Sequence, residues 1–449
     1  MLAAQLIAAG KRPYLDFFFP QTPLNAYWNG LWYAISGSAW RAAHAAAAVE
    51  TSIAIWLTAD FLLSGFPAVR WRLGAALVAA CAIGTNAMVV EFGTLGQAYG
   101  LGLLFAVAAF RLSILVVERR ATAWAALEGL LACAAASATL LTAPVVPILL
   151  VWTLVYDRQG SRVKKLVAFA AGGVVPFLPL LWLYAQSPAV VWFDVFRYHM
   201  FYRQVHWAGA TAHDLDLMSS WIDSGQVLVL TLLAIAGLLF VLYRSEWERS
   251  RRAPFYLCAW IAAAEAAYLA TPHPSFSQYF LFLTPFLGIL AGAGLYAVAS
   301  RLDPAGRPWR ATALVLFLFG MGLARGMFDS RDDFSWNDAA QVVAKIREAL
   351  PRHGSLYADE PFYVLMHYTP APGMEHSDAH KLNMDPAAAR PLHIIPGKEL
   401  DRRVKAREFD TVVICDDDDR IEQLGLEHLY NQKADILDCT IFWERSGKQ

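Results

Sequence analysis

Two carboxylates and a scatter of cations are the side chains of this sequence whose types and spacing suit chemistry. Asp16 is the sole acid among the first 49 residues and lies in KRPYLDFFFPQTPL, residues 11–24. Pro20 and Pro23 follow it, and prolines fix φ and stiffen the chain. A carboxylate in such a stretch is either a solvated loop acid or a general base held against a substrate. Glu91, in VVEFGTLGQAYG, is either an ordinary acid at a helix end or the partner of Asp16. As a pair the two can serve as base and metal ligand; a divalent cation fits that role, although spacing defines no ligand set. Arg41 and His44 are three apart and share a helix face. Arg197, His199, Arg203 and His206 fall within WFDVFRYHMFYRQVHW. Grouped, these cations can bind a phosphate or pyrophosphate, with Arg as the bidentate donor; singly, each suits contact with lipid headgroups. Tyr14 and Gln21 in the first stretch, with His273, Gln278 and Tyr279 in TPHPSFSQYFLFLTPF, are candidates for a pocket wall.

The elements that must hold these residues are membrane helices. Of 449 residues, 57% are hydrophobic and 17% charged, against roughly 25% charged in ordinary soluble domains. The apolar runs are long enough to cross a ~30 Å hydrocarbon core and lack the short alternation of a β-barrel. The fold class is therefore a polytopic α-helical membrane protein. About ten spans are predicted, at 42–64, 73–91, 98–117, 122–141, 143–156, 165–185, 226–243, 254–271, 279–299 and 310–327. A net charge of −1 gives no general attraction to nucleic acid.

Basic residues orient the bundle. Arg70 and Arg72, Arg119 and Arg120, Arg158 to Lys165, Arg244 to Arg252, and Arg301 to Arg310 alternate with loops at 92–97, 141–142 and 272–278 that carry no Lys or Arg. The basic side should be cytoplasmic. Residues 1–41, the loop 186–225 and the tail 328–449 then lie outside. PLNAYWNGLWYAISGSAW, residues 23–40, suits a helix lying in the outer interface, because its Trp and Tyr favour headgroup level. The tail reads as an α/β domain. WNDAAQVVAKIREAL has helical spacing, and FDTVVIC and TIFWER read as strands. Glu50, Glu128 and Glu265 fall inside spans and must face the bundle interior. Asp416 to Asp419 read as a solvated acidic turn rather than a metal site. Cys415 and Cys439 can pair if the tail is outside the cytoplasm.

GKRPYLDFFFPQTPLNAYWNGLWYAISGSAWRAAH resembles the first outer loop of GT-C glycosyltransferases, specifically the bacterial protein mannosyltransferase and lipid A aminoarabinose transferase-like group. That group has a Gly-x-x-Pro-Tyr-x-Asp-Phe stretch, then Pro-Leu and an aromatic interfacial helix, then an Arg opening the next span, here Arg41. SQYFLFLTPFLGILAG is similar to its late Tyr-containing helix, and the tail, with GSLYADEPF and FDTVVIC, to its external domain. The resemblance implies transfer of a hexosyl or pentosyl group from a polyprenyl-phosphate donor to a protein, lipid or glycan acceptor at the outer face of the inner membrane. With the chain taken as complete, Asp16 and Glu91 are the outer carboxylates left to act as the acids. Arg41, His44, Arg197, His199, Arg203 and His206 would bind donor phosphate. Tyr14, Gln21, His273, Gln278 and Tyr279 would line the donor pocket. Two departures stand out. Gln21-Thr22-Pro23-Leu24 replaces a Lys-Pro-Pro-Leu that supplies a cation. The family's usual catalytic acid and the span before it would lie upstream of Met1, so a start placed too far downstream is expected. Two other functions fit the same architecture: a transporter or flippase of a lipid-linked molecule, and an inactive partner subunit.

Overall fold

The structure, a computed structural model, describes residues 1–37, 39–119, 122–156, 161–203, 209–244, 246–302 and 308–445. Six helical segments are long and apolar enough to cross a membrane: Trp40–Gly65, Ala98–Val117, Arg162–Gln186, Gly225–Tyr243, Ser277–Leu302 and Pro308–Asp329. Two shorter apolar segments, Thr122–Ala138 and Leu140–Tyr156, accompany them. A helix satisfies its own backbone, which is why apolar runs of this length fold this way in lipid. Small residues let the helices approach closely. A Cβ on Gly129 would collide with the Phe169 carbonyl, and one on Gly294 with that of Leu233.

Two expected spans come out differently. The 73–91 run is not one helix: Arg72–Gly84 ends, and Ala87–Phe92 starts afresh. The Asn86 side chain accepts the Met88 and Val89 amides at 3.0 and 3.4 Å, so this residue caps a new helix in mid-run. The 254–271 run belongs to Arg249–Leu269, whose three arginines and Glu265 keep it outside the six.

The tail closes a four-stranded sheet of β1 (Leu356–Tyr357), β2 (Thr411–Cys415), β3 (Tyr430–Ile436) and β4 (Cys439–Arg445), in the order β1-β2-β4-β3. β1 and β2 are parallel; the other pairs are antiparallel. Alternation splits the sheet's side chains between two cores. Val413, Cys439 and Ile441 join Val342, Val343 and Ile346 of the helix Trp336–Ala349, while Val412, Ile414 and Phe442 join Leu400, Val404 and Leu424. Cys415 stands opposite Cys439 and is bonded to it. Of the acidic run, Asp417 caps the helix Asp418–Leu424, and all four acids are exposed.

The first loop is wedged between this tail and the outer loop. Tyr14, Phe17 and Phe19 share a core with Val195, Val343 and Tyr363. Phe18 packs edge-on against Tyr198 and His376, at 5.4 and 5.8 Å. Asp194, fully buried, accepts the Phe19 amide at 3.0 Å, and His199 Nε2 meets Pro20 O at 2.6 Å. Lys11 Nζ donates to Glu375 at 3.3 Å, and Glu375 also takes the Gly373 amide at 2.6 Å.

Burial pushes the Glu375 carboxyl up, with Lys11 pulling against it. A carboxyl raised by folding costs stability once the pH exceeds its ordinary value, and that cost grows if its cation is lost. Lys11→Met should therefore destabilise the protein at neutral pH by about 1–3 kcal/mol. The loss should shrink as pH falls and Glu375 takes up a proton. Thermal unfolding in detergent at neutral pH and at about pH 4, the ordinary carboxylate range, checks both.

Candidate active site

The wide-turned helix Phe193–Tyr202 delivers Arg203 to the turn that precedes the helical segment Ser277–Leu302. Arg203 Nη2 donates to the Tyr279 hydroxyl at 2.5 Å and to Pro274 O at 3.1 Å. The guanidinium carbon lies 5.1 Å from the Phe276 ring centre and 5.5 Å from that of Tyr279, a cation–π cradle. Nε and Nη1 make no hydrogen bond among the described residues, so part of the planar fork is left for an anion. Gln278, Tyr279 and Arg203 all lie near the Tyr99 hydroxyl, and Tyr99 leans on Phe282 at 6.1 Å. His273 Nδ1 meets Asp214 Oδ2 at 2.6 Å.

Four sequence candidates thus come together: Arg203, His273, Gln278 and Tyr279. Tyr99, Asp214 and Phe276 complete the group and were not singled out by sequence. Tyr99 looks like an interfacial anchor, and Asp214 sits in an unremarkable polar stretch. Only proximity gives either a role.

The break at Asn86 gives Glu91 its place. The short helix Ala87–Phe92 packs Val89 against Leu281 and Phe282, with Tyr99 beside them. Glu91 is exposed on this helix, makes no hydrogen bond among the described residues, and feels the charge of Asp333. Asp16 has other neighbours. Its Oδ2 takes the Arg12 amide at 2.7 Å and Nε at 3.1 Å, and its Oδ1 takes Nη2 at 3.1 Å. His393 stands near enough to add its field. No contact among the described residues joins Asp16 to Glu91.

The remaining candidates are held by structural contacts or lie open. Arg41 is exposed over the Trp40 ring at 4.5 Å. His44 packs edge-on between Trp40 and Trp336, each 5.1 Å away. His199 is tied to Pro20, and Arg197 is exposed. Tyr14 is buried at a left-handed φ of 66°, with its hydroxyl donating to Gln21 O at 2.5 Å; the Gln21 side chain is exposed. His206 lies outside the described residues, as do Arg120, Arg158 and Arg307. Within the bundle Glu50 accepts the Trp28 indole at 2.6 Å, and Glu128 accepts the Thr153 hydroxyl. Among the described residues no three His, Cys, Asp or Glu side chains are grouped to hold a metal ion.

Asp194, like Glu375, is a buried acid that sequence did not flag. One oxygen holds the Phe19 amide and the other has no hydrogen bond among the described residues. Burial pushes its carboxyl well above the ordinary range.

A bundle of apolar helices followed by a small C-terminal sheet domain makes up the GT-C fold of integral membrane glycosyltransferases. The chain is similar to the crystal structure of ArnT from Cupriavidus metallidurans bound to undecaprenyl phosphate. The TM-score is 0.68 and the identity 15%, covering 98% of this chain and 92% of that one. Against ArnT of the same organism in the apo state the TM-score is 0.67, again at 15% identity, covering 98% and 91%. No protein-family model and no curated protein matches the sequence. At this identity the likeness is one of fold.

The Arg12 side-chain hydrogen bond holds the Asp16 carboxyl below the usual carboxylate range. Arg12→Ala should let it rise. Any activity that requires ionised Asp16 should then lose its acid limb at higher pH than the parent does, as read from a pH–rate profile; Asp16→Asn should remove that limb.

Proposed function

We propose that this protein transfers a sugar from a polyprenyl-phosphate donor to an acceptor at the outer face of the membrane. One observation carries the reading: Arg203 is anchored by one nitrogen in an aromatic cradle, with the rest of its fork open for a phosphate. A fold shared with a protein crystallised with undecaprenyl phosphate supports it.

The chemistry is displacement at the anomeric carbon. An acceptor hydroxyl attacks that carbon while its bond to the phosphate oxygen breaks, and the electron pair leaves with the lipid phosphate. Arg203 stabilises the departing charge through charge-assisted hydrogen bonds, and Tyr279 keeps the guanidinium aimed. Glu91 takes the acceptor's proton as general base. It is preferred to Asp16 because it is uncommitted and its helix packs on the turn that carries Tyr279. Asp16, bound to a guanidinium, is the weaker base and orders the first loop instead. The sugar and the acceptor are left open by these side chains.

The test is purified protein in liposomes with a polyprenyl-phosphate sugar, scored by free polyprenyl phosphate. Release supports transfer; intact donor moved between leaflets would support a flippase, and neither would support a partner subunit. Arg203→Ala should cut release by roughly 10²–10³-fold. Arg203→Lys should recover only part of this, since Lys is a point charge without the fork. Glu91→Gln should abolish release while Asp16→Asn leaves it measurable. The same assay with a chelator reads any contribution of a divalent cation.

In this reading the tail lies outside the cytoplasm. The Cys415–Cys439 bond supports that placement, because disulfides persist in oxidising compartments. Cys439→Ser should make Cys415 reactive to an impermeant maleimide on spheroplasts. Reaction only after lysis would put the tail inside.

A further inference from the structure

The turn between the helix Arg249–Leu269 and the segment Ser277–Leu283 forms half of the Arg203 cradle, through Pro274 O and the Phe276 ring. Its own backbone does little to fix it. Pro272 and Pro274 have no amide hydrogen to give, and among the described residues the His273 and Ser275 amides make no backbone–backbone hydrogen bond. Ser275 is buried at 6% exposure, and a buried backbone without partners costs as much as a lost hydrogen bond.

The partners come from the start of the helix Ala210–Asp223. Asp214 Oδ1 takes the Ser275 amide at 2.7 Å, and Oδ2 takes His273 Nδ1 at 2.6 Å. A carboxylate only accepts, so His273 carries its proton on Nδ1. His213 Nε2 meets Ser275 O at 3.0 Å, and its ring lies 5.5 Å from that of Phe276. Two adjacent side chains therefore take both backbone groups of Ser275 and one ring on each side of it. The residues this grip sets, Pro274 and Phe276, both touch Arg203, as Tyr279 does from the next turn.

We propose that Asp214, helped by His213, is a positioning residue for the phosphate-binding arginine. It acts through the His273–Phe276 turn and touches neither donor nor acceptor. The assignment rests on the proposed role of Arg203 with a lipid phosphate. An arginine cradled by a fixed carbonyl and ring presents its fork in one orientation. With the turn loosened, the guanidinium must be ordered by the ligand, and affinity falls while the chemical step is spared.

A double-mutant cycle on undecaprenyl phosphate binding tests this with the full-length protein in detergent. Asp214→Ala should weaken binding roughly tenfold, the scale of one hydrogen bond to a charged group, and raise the donor KM with kcat within about twofold. In an Arg203→Ala background the same change should add almost nothing, since the two act as a unit. Asp214→Asn, which keeps an acceptor for the Ser275 amide, should fall between, and it carries the test if the alanine variant fails to fold. Unchanged binding in the Asp214 variants, or a loss that adds in full to that of Arg203→Ala, overturns the clamp and spares the phosphate reading. Unchanged binding in Arg203→Ala overturns the phosphate reading and the clamp with it.

Discussion

Buried backbone outside a helix or sheet must find its hydrogen bonds somewhere, and where this bundle meets the first loop and the tail it finds them in side chains from distant segments. Asp194 serves the amide of Phe19, and His199 the carbonyl of Pro20. Asn29 donates to Gly96 O at 2.8 Å, and Thr51 to Gly93 O at 2.5 Å. His213 and Asp214 serve both backbone groups of Ser275. Each bond ties an irregular segment to a side chain of another element, as Asn29 and Thr51 reach out from within helices.

The same constraint accounts for how polar residues divide between structure and chemistry. His199 and Asp194 are used up in holding the first loop. Tyr14 sits in a left-handed conformation that non-glycine residues seldom adopt, with its hydroxyl turned back onto Gln21 O. Asp16 is spent on Arg12. Uncommitted groups among the described residues include part of the Arg203 fork, the exposed Arg197, and Glu91 on a helix that exists because Asn86 interrupts an apolar run. The first loop itself packs as a wedge between the tail and the segment that carries Asp194.

Apolar runs and their periods marked the helices, because in lipid a long apolar run has no other way to satisfy its backbone. The helix of the tail at Trp336–Ala349 was legible because its buried face repeats at the helical period, and the strands Thr411–Cys415 and Cys439–Arg445 because short apolar runs between polar residues mark buried strands. β3 was not, since its solvent-facing Asn431, Gln432 and Lys433 hide the pattern. Asn86 was hidden too, because capping is a single-residue event inside a hydrophobic stretch.

Of the site, residue type and neighbourhood in the chain were enough to nominate Arg203, His273, Gln278, Tyr279 and Glu91. They were not enough to separate these from Arg41, His44, Arg197 and His199, which have the same chemistry and equally suggestive spacing. Tertiary structure shows which of them are already bonded: His44 meets Trp40 O and His199 meets Pro20 O, while Arg41 and Arg197 stay exposed. Charge and hydrogen-bonding capacity belong to a residue, but whether they are free or already satisfied depends on what stands within about 3 Å, and for Arg203, Asp214 and Asp194 those neighbours lie 59 or more residues away in sequence.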